Sequence, residues 1–133
     1  MLFNFKNKTV LVTGSNNGNG LAIAKAYSKL KANVIRVDRK FTTKMKSKDI
    51  IFDLENYNQI KNLVISIKKT SKKVDILINN AGVSLSSLNP YKDFISYHKT
   101  LSVNLHSPFY LISYISDLMP KHSSIIQITS LGQ

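Results

Sequence analysis

The chain is 133 residues long, which is the size of a single domain and excludes a second one of ordinary length. It contains no cysteine, so disulfides, thiolate metal sites and a cysteine nucleophile are excluded. We expect a cytoplasmic location because nothing in the sequence requires an oxidising compartment. The sequence has no apolar run long enough to span a membrane, and its first residues do not resemble a signal peptide. We therefore expect a globular protein without a membrane partner.

The net charge is +12, from 19 Lys and Arg against 7 Asp and Glu, and only Arg36 and Arg39 are arginines. A nucleic-acid partner would account for such a charge, but the lysines are spread along the chain. The joint abundance of Lys, Asn and Ile is also what an AT-rich genome encodes without selection for a basic surface. We therefore expect no specific nucleic-acid partner, although salt-sensitive nonspecific binding follows from the charge alone. Two basic clusters stand out, at residues 36–48 and 68–73.

Short apolar runs alternate with segments of helical period, which predicts parallel strands joined by crossover helices. In chain order we expect a strand at 9–13, a helix at 21–31 and strands at 33–38 and 50–53. A helix around 60–67, a strand at 74–79, a long helix from about 90 to 119 and a strand at 124–129 follow. Pro108 is expected to kink the long helix. The connection between the second and third strands is too short for more than a vestigial helix.

These elements predict the fold class: an α/β, Rossmann-like doubly wound parallel sheet of order 3-2-1-4-5. The ligand crevice is expected at the carboxyl ends of the strands, beside the first strand, where the order reverses. We interpret residues 1–133 as one dinucleotide-binding domain that is truncated after the fifth strand. That strand would then be an exposed edge.

A glycine-rich loop follows the first strand directly, where residues 13–20 read TGSNNGNG. Gly14 permits a sharp exit from the strand, Gly18 lets the backbone approach a diphosphate, and Gly20 lets the next helix pack close to the strand. The amino terminus of that helix offers unpaired N–H groups to an anion. The alternative is a loop that only turns a strand into a helix, and the position between a buried strand and a helix favours the dinucleotide site.

An acid ends the second strand, where a dinucleotide site needs one. The Asp38 carboxylate can accept both ribose hydroxyls of an adenosine and repel a 2′-phosphate, which favours NAD over NADP. The adjacent Arg39 and Lys40 could instead hold that phosphate if Asp38 turned away. Asp38 could also be an ordinary turn residue and Arg39 a solvated charge.

Five motifs in this order resemble the short-chain dehydrogenase/reductase family over the whole chain. The loop TGSNNGNG resembles the family's T-G-x-x-x-G-x-G, the pair Asp53-Leu54 its adenine-contacting acid, and NNAG at 79–82 its N-N-A-G. Asn104 in SVNLHSPF and Ser130 in IIQITSLG resemble the catalytic asparagine and serine. The cofactor-binding residues that the resemblance implies are Thr13, Gly14, Asn17, Gly18, Asn19, Gly20, Asp38, Arg39, Asp53, Leu54, Asn79, Asn80, Ala81 and Gly82.

The resemblance implies hydride transfer between a nicotinamide cofactor and a small-molecule alcohol or carbonyl substrate. It also implies a homo-oligomer, since the long helix resembles one that pairs with its copy in a neighbouring subunit. Apolar residues at helical spacing on that helix agree with this expectation, among them Leu101, Leu105, Phe109, Ile112 and Ile115.

The sequence departs from the family pattern after Ser130, because no Tyr-x-x-x-Lys segment follows it in these residues. Tyr27 with Lys31 and Tyr57 with Lys61 have that spacing, but both pairs precede the serine and are expected on flanking helices. Asn19 is a smaller departure, since the family usually has an apolar residue there. A noncatalytic NAD-binding or protein-interaction module from a truncated or decayed gene is the alternative function.

Metal chemistry is not expected. The three histidines, His98, His106 and His122, lack metal-ligand spacing and have no counterpart in the family. We interpret them as ordinary surface or interface residues.

Overall fold

The computed structural model describes residues 3–84 and 92–130. Its centre is a five-stranded sheet of order β3-β2-β1-β4-β5 in which every neighbouring pair is parallel. The predicted α/β, Rossmann-like class and strand order are confirmed. The strands are β1 (Thr9–Thr13), β2 (Asn33–Asp38), β3 (Asp49–Ile51), β4 (Ile76–Asn79) and β5 (Ser124–Gln127).

Four α-helices surround the described sheet: α1 (Gly18–Lys29), α2 (Ile60–Thr70), α3 (Phe94–Leu101) and α4 (Ser107–Ile115). Two short 3₁₀ turns, Tyr57–Gln59 and Ser116–Leu118, precede α2 and follow α4. No regular helix lies between β2 and β3 in the described chain, as the short connection predicts. None of the described helices is long and apolar enough to cross a membrane.

The core divides into two layers because successive side chains of β1 point to opposite faces of the sheet. Leu11 packs into the larger layer with α2 and α4, whereas Val10 and Val12 pack into the smaller one, to which α1 contributes Ala24. All five residues of β1 are buried, which explains why this strand is apolar on both faces. Both faces of the sheet are therefore covered around β1. Loops leave the sheet only at the amino and carboxyl ends of the strands.

Several boundaries differ from the predicted ones. Strand β3 ends at Ile51, so Asp53 lies two residues beyond it rather than within it. Helix α1 begins at Gly18 inside the glycine loop, earlier than the apolar stripe indicates, because a helix can begin on residues that carry no core side chain. Strand β4 begins at Ile76 and β5 ends at Gln127, so both are shorter than their apolar runs. Strand β5 pairs with β4, and all four of its residues are exposed.

The long helix is not a regular α-helix interrupted at Pro108. A wider, π-helical turn at Ser102–His106 separates α3 from α4, and Pro108 lies in the first turn of α4. Proline has no N–H to donate to the carbonyl of residue 104, so the regular hydrogen-bond pattern cannot run through this point. The predicted start of this helix near residue 90 lies outside the described residues, and α3 begins at Phe94 after an N-cap by the side chain of Asp93.

The apolar stripe expected on one face of this helix is split between two environments. Leu111 and Ile115 are fully buried in the larger core layer. Leu105 is 57% exposed and Phe109 is 64% exposed. Leu105 lies within the π-helical turn, and Phe109 lies two residues from Leu111 on α4, so it faces nearly the opposite side of that helix.

Candidate functional site

A cavity of about 340 Å³ opens at the carboxyl-terminal edge of the sheet, where β1, β2 and β4 end. This is the edge at which the reversal of strand order predicts a ligand crevice. Its lining comes from the glycine loop, the ends of β2 and β3, the segment after β4, and the long helix. The lining residues are Gly14, Asn16, Asn17, Gly18, Asn19, Asp38, Arg39, Lys40, Phe52, Asp53, Leu54, Asn80, Ala81, Gly82, Val83, Lys99 and Val103.

The three loop glycines have different structural reasons to be glycine. A Cβ on Gly14 would lie 2.8 Å from the Cα of Ala81, and a Cβ on Gly20 would overlap the carbonyl oxygen of Gly14. Gly18 has a φ of +52°, and a Cβ there would meet nothing within 4 Å. Packing within the protein therefore requires Gly14 and Gly20, whereas Gly18 leaves space beside the amino terminus of α1 that the protein itself does not fill.

The segment after β4 is fastened to the glycine loop by hydrogen bonds. The Asn80 side-chain amide donates to the carbonyls of Thr13 and Gly14 at 3.1 and 3.0 Å. The Thr13 hydroxyl oxygen accepts from the backbone amides of Asn80 and Ala81, both at 3.1 Å. Thr13, Gly20 and Asn79 are not among the residues that line the cavity. Thr13 and Gly20 support the glycine loop from behind through the hydrogen bonds of Thr13 and the close packing at Gly20.

Asp38 reaches the cavity and is held there by the glycine loop. Its Oδ2 accepts from the backbone amide of Asn16 at 2.8 Å. The side-chain oxygen of Asn16 in turn accepts from the backbone amide and the hydroxyl of Thr42, at 2.8 and 3.2 Å. Asn16 thus ties the glycine loop to both β2 and the β2–β3 connection. We did not single it out in the sequence, and the only available signal was its place within the loop.

The opposite side of the cavity is closed by the segment after β3 and by α3. Asp53 Oδ1 accepts from the amide of Glu55 at 2.9 Å, and the carbonyl of Leu54 accepts from the Ser107 hydroxyl. Lys99 lines the cavity and forms an ion pair with Glu55 at 3.0 Å. Phe52, Lys99 and Val103 also went unnoticed in the sequence, because they lie far apart along the chain and match no local motif.

The two predicted catalytic residues, Asn104 and Ser130, differ from most of the predicted cofactor-binding residues because they do not line the cavity. The Asn104 side chain both accepts from the backbone amide of Val83 and donates to its carbonyl, each at 2.8 Å. These two bonds hold the segment after Gly82 in place. They leave one N–H and one acceptor site of the exposed Asn104 amide for another partner. Ser130 is exposed, lies beyond β5, and is not among the described residues that line the cavity.

No group of three or more His, Asp and Glu side chains that could hold a metal ion occurs within residues 3–84 and 92–130. His106 packs its ring against Tyr57, with centroids 4.8 Å apart, and its Nδ1 is buried without a hydrogen-bond partner in the described structure. The side-chain nitrogen of Asn79 is in the same situation.

The fold and this crevice define a dinucleotide-binding type of α/β protein, and comparison with known proteins identifies the family. The family model described as "short chain dehydrogenase" matches residues 8–133, and the chain belongs to that family. Most of the members it matches are named as dehydrogenases or reductases.

Two curated relatives illustrate the similarity. The fatty acyl-CoA reductase of Acinetobacter baylyi is 31% identical across 97% of this chain and 49% of its own length. The NAD-dependent glycerol dehydrogenase of Listeria innocua is 32% identical across 85% of this chain and 48% of its own. The chain thus spans about half the length of the curated relatives it matches.

Solved structures agree with the curated relatives. The NADPH-dependent 3-quinuclidinone reductase of Rhodotorula rubra superposes with a TM-score of 0.83 at 27% identity, covering 97% of this chain and 54% of that one.

Proposed function

We propose that the crevice at the carboxyl-terminal edge binds NAD(H), and that the protein is an oxidoreductase acting on an alcohol or carbonyl substrate. The observation that carries the proposal is the space at Gly18, beside the amino terminus of α1. A left-handed glycine with no neighbour within 4 Å of its missing Cβ suits a group that approaches the backbone closely. The unpaired N–H groups at the start of α1 suit an anion such as a diphosphate.

The remaining cofactor-type residues fit the same ligand. The Asp38 carboxylate, held by the Asn16 amide, is available to ribose hydroxyls, and Asp53 and Leu54 border the part of the cavity suited to an adenine ring. Thr13 and Asn80 shape the loop through their hydrogen bonds, Gly20 lets α1 pack against it, and Asn79 ends β4 next to Asn80. Asn17, Asn19, Arg39, Ala81 and Gly82 complete the proposed binding surface. When bound, the nicotinamide ring supplies a hydride acceptor or donor.

NAD is the preferred cofactor in this proposal. An ionised Asp38 at the cavity would repel a 2′-phosphate, whereas Arg39 and Lys40, which also line the cavity, would attract it. Relatives of both kinds exist, since the glycerol dehydrogenase is NAD-dependent and the quinuclidinone reductase is NADPH-dependent. We favour NAD because Asp38 is the residue of the three that the loop holds by a hydrogen bond.

Catalysis is proposed to involve two residues of this chain. Asn104 positions the backbone at Val83, beside Gly82, and Ser130 can polarise a carbonyl oxygen by donating a hydrogen bond to it. The alternative is a noncatalytic NAD-binding or protein-interaction module, and the cytoplasm is our proposed location for either.

The cofactor site is tested by calorimetric titration of NADH into the wild-type chain and into Gly18→Ala. A methyl group at residue 18 would occupy the space proposed for the diphosphate, so we expect wild-type binding and at least a tenfold weaker affinity in the variant, or about 1.4 kcal/mol. Asn7→Ala is the matched control, because Asn7 is exposed, has a φ of 65° and lies outside the cavity lining. It imposes similar backbone strain and should leave binding unchanged. Absence of NADH binding to the wild-type chain would refute the proposal.

A measurement of NADH oxidation distinguishes the proposed enzyme from the noncatalytic module. A polypeptide of these 133 residues should not oxidise NADH above background with a panel of ketones and aldehydes, because losing a positioned acid costs about 10² to 10⁴ in rate. A longer chain with a Tyr-x-x-x-Lys segment after Ser130 should turn over and lose activity in Ser130→Ala. Turnover by the 133-residue polypeptide that Ser130→Ala abolished would contradict this account of the general acid.

A further inference from the structure

A row of lysines lies at the opposite, amino-terminal edge of the sheet, away from the crevice. The sequence shows no motif there, because the lysines are far apart along the chain. The structure brings them together because parallel strands all begin at the same edge. Each of the five strands is preceded within three residues by a lysine: Lys8, Lys31, Lys48, Lys73 and Lys121. We call this set the lysine row.

Contacts between the strand starts show that the row is continuous. The Lys48 ammonium donates to the side-chain oxygen of Asn33 at the start of β2, and the Asn33 amide donates to the carbonyl of Lys8 at 2.8 Å. The Lys8 ammonium lies 3.2 Å from Asp75, whose carbonyl accepts from the amide of Ser124 at 2.9 Å. Neighbouring strands are about 4.8 Å apart, so five strand starts span about 19 Å.

Few carboxylates balance this edge. Asp75 is buried, and both Lys8 and Lys73 bind to it, at 3.2 and 3.1 Å. Asp49, at the start of β3, forms an ion pair with the buried Arg36. Asp117, in the 3₁₀ turn before β5, is the exposed acid near the row. The lysines Lys68, Lys69 and Lys72, at and just after the carboxyl end of α2, add further positive charge.

Compensation of helix dipoles accounts for only part of the row. Lysines at a helix carboxyl terminus are favoured by the negative end of its dipole, and this applies to Lys31 just after α1 and to Lys73 just after α2. It does not apply to Lys8 or Lys48, which follow no described helix. Point charges without arginine forks suit phosphate groups rather than base edges.

We propose that the lysine row is a docking surface for the phosphate backbone of nucleic acid, without sequence specificity. One strand of duplex DNA presents a phosphate about every 3.4 Å of helix axis, or five to six over about 19 Å, which matches the five lysines. A line of charges fits a linear polyanion better than a planar lipid surface. Most of the exposed large apolar side chains lie on α3, α4 and around β5, with Phe3 and Met45 among the exceptions, so the row lacks the apolar anchors of a membrane-binding face.

The test compares two triple variants that remove the same charge. The row variant carries Lys31→Gln and Lys121→Gln, the two row lysines at exposed positions, together with Lys72→Gln at the exposed neighbour of Lys73. Lys8 and Lys73 are kept because they bind Asp75, and Lys48 is kept because it binds Asn33. The control carries Lys25→Gln, Lys44→Gln and Lys92→Gln, which are also exposed but do not lie within three residues before a strand. Fluorescence anisotropy measures binding to a short labelled DNA duplex of mixed sequence between about 50 and 200 mM salt.

We expect the row variant to bind at least about tenfold more weakly, and the slope of log affinity against log salt to fall by about 2 to 3. The control should change affinity by less than about threefold, and saturating NADH should not compete with the duplex.

Four results would overturn the proposal. Equal losses of affinity in the two variants would show an effect of net charge alone. Competition by NADH would show that the duplex binds at the crevice and not at the lysine row. No binding of the wild-type chain to the duplex at about 50 mM salt would also overturn it. Binding to phosphatidylserine vesicles without binding to the duplex would assign the row to a lipid surface instead. Because this proposal concerns the edge away from the crevice, a failure of NADH binding would leave it unaffected.

Discussion

The carboxyl-terminal and amino-terminal edges of the sheet differ in composition and in what their charged side chains contact. At the carboxyl-terminal edge, the loops are rich in Gly and Asn, backbone amides and carbonyls make most of the contacts, and the acids Asp38 and Asp53 line an open cavity. At the amino-terminal edge, lysines precede every strand, and the acids Asp49 and Asp75 are turned inward to bind basic side chains.

The comparison shows that the net charge of +12 says little about the crevice. Asp49 and Asp75 at the amino-terminal edge bind basic side chains of the protein, whereas Asp38 and Asp53 at the carboxyl-terminal edge line the cavity. Removing an acid should therefore affect stability at one edge and ligand selectivity at the other.

The largest expected effect is at Asp49. Its carboxylate binds the buried Arg36 through Nε at 2.8 Å and through Nη2, and accepts from the Lys46 amide at 2.7 Å. Asp49→Asn leaves the Arg36 charge buried without a counterion, which should reduce the free energy of unfolding by about 3 to 5 kcal/mol. Urea denaturation at neutral pH measures this, with the exposed Asp117→Asn as control. A loss below about 1 kcal/mol would contradict a structural role for the pair.

Asp75 should give a smaller and pH-dependent effect. Burial opposes its ionisation, but the Thr9 amide and the ammonium groups of Lys73 and Lys8 outweigh burial and hold the pKa of its carboxyl below the ordinary value. A lowered folded-state pKa contributes stability that is present above the unfolded pKa, about 4, and lost as the pH falls below it. Asp75→Asn should cost about 1 to 2 kcal/mol at pH 7, and its urea midpoint should approach that of the wild type as the pH falls below the unfolded pKa. A difference independent of pH would contradict the ionic origin.

At the carboxyl-terminal edge, Asp38→Ala should change selectivity more than stability. Removing the carboxylate removes repulsion of a 2′-phosphate, so the ratio of NADP to NAD affinity should rise about tenfold, or about 1.4 kcal/mol. Asp53→Ala is the control, because Asp53 lines the same cavity and its side chain accepts from the Glu55 amide. An unchanged ratio in Asp38→Ala would make Arg39 and Lys40 the better candidates for setting preference.

The smallest effect on stability is expected on the exposed helix face. Leu105 and Phe109 are exposed apolar residues that support the proposed homo-oligomer. Leu105→Glu with Phe109→Glu should lower the mass measured by light scattering while changing the free energy of unfolding by about 0.5 kcal/mol or less. Ile65→Glu, at an exposed position on α2, is the control. A monomeric wild type at tens of micromolar would refute the oligomer.

The order of the elements, the sheet order and the place of the crevice were determined by the sequence alone. Each rests on short-range patterns: the apolar run of β1, the helical spacing of Ile60, Leu63, Val64 and Ile67, and glycines at fixed offsets after a buried strand. Right-handed crossovers then leave few ways to order parallel strands. Local patterning is sufficient here because burial of an apolar face determines which element forms.

Tertiary structure decided the partners of polar side chains and the direction in which helix residues face. Asn104 binds the backbone of Val83, and Asn16 links Asp38 to Thr42, over separations that no local pattern encodes. Leu105 and Phe109 lie outside the core, whereas Leu111 and Ile115 of the same helical segment are fully buried, and only the packing of α4 on the sheet and α2 decides which residues are covered. The lysine row exists only because parallel pairing aligns five strand starts. Hydrogen bonds and charges act over a few ångströms in space, so their partners depend on how distant segments pack together.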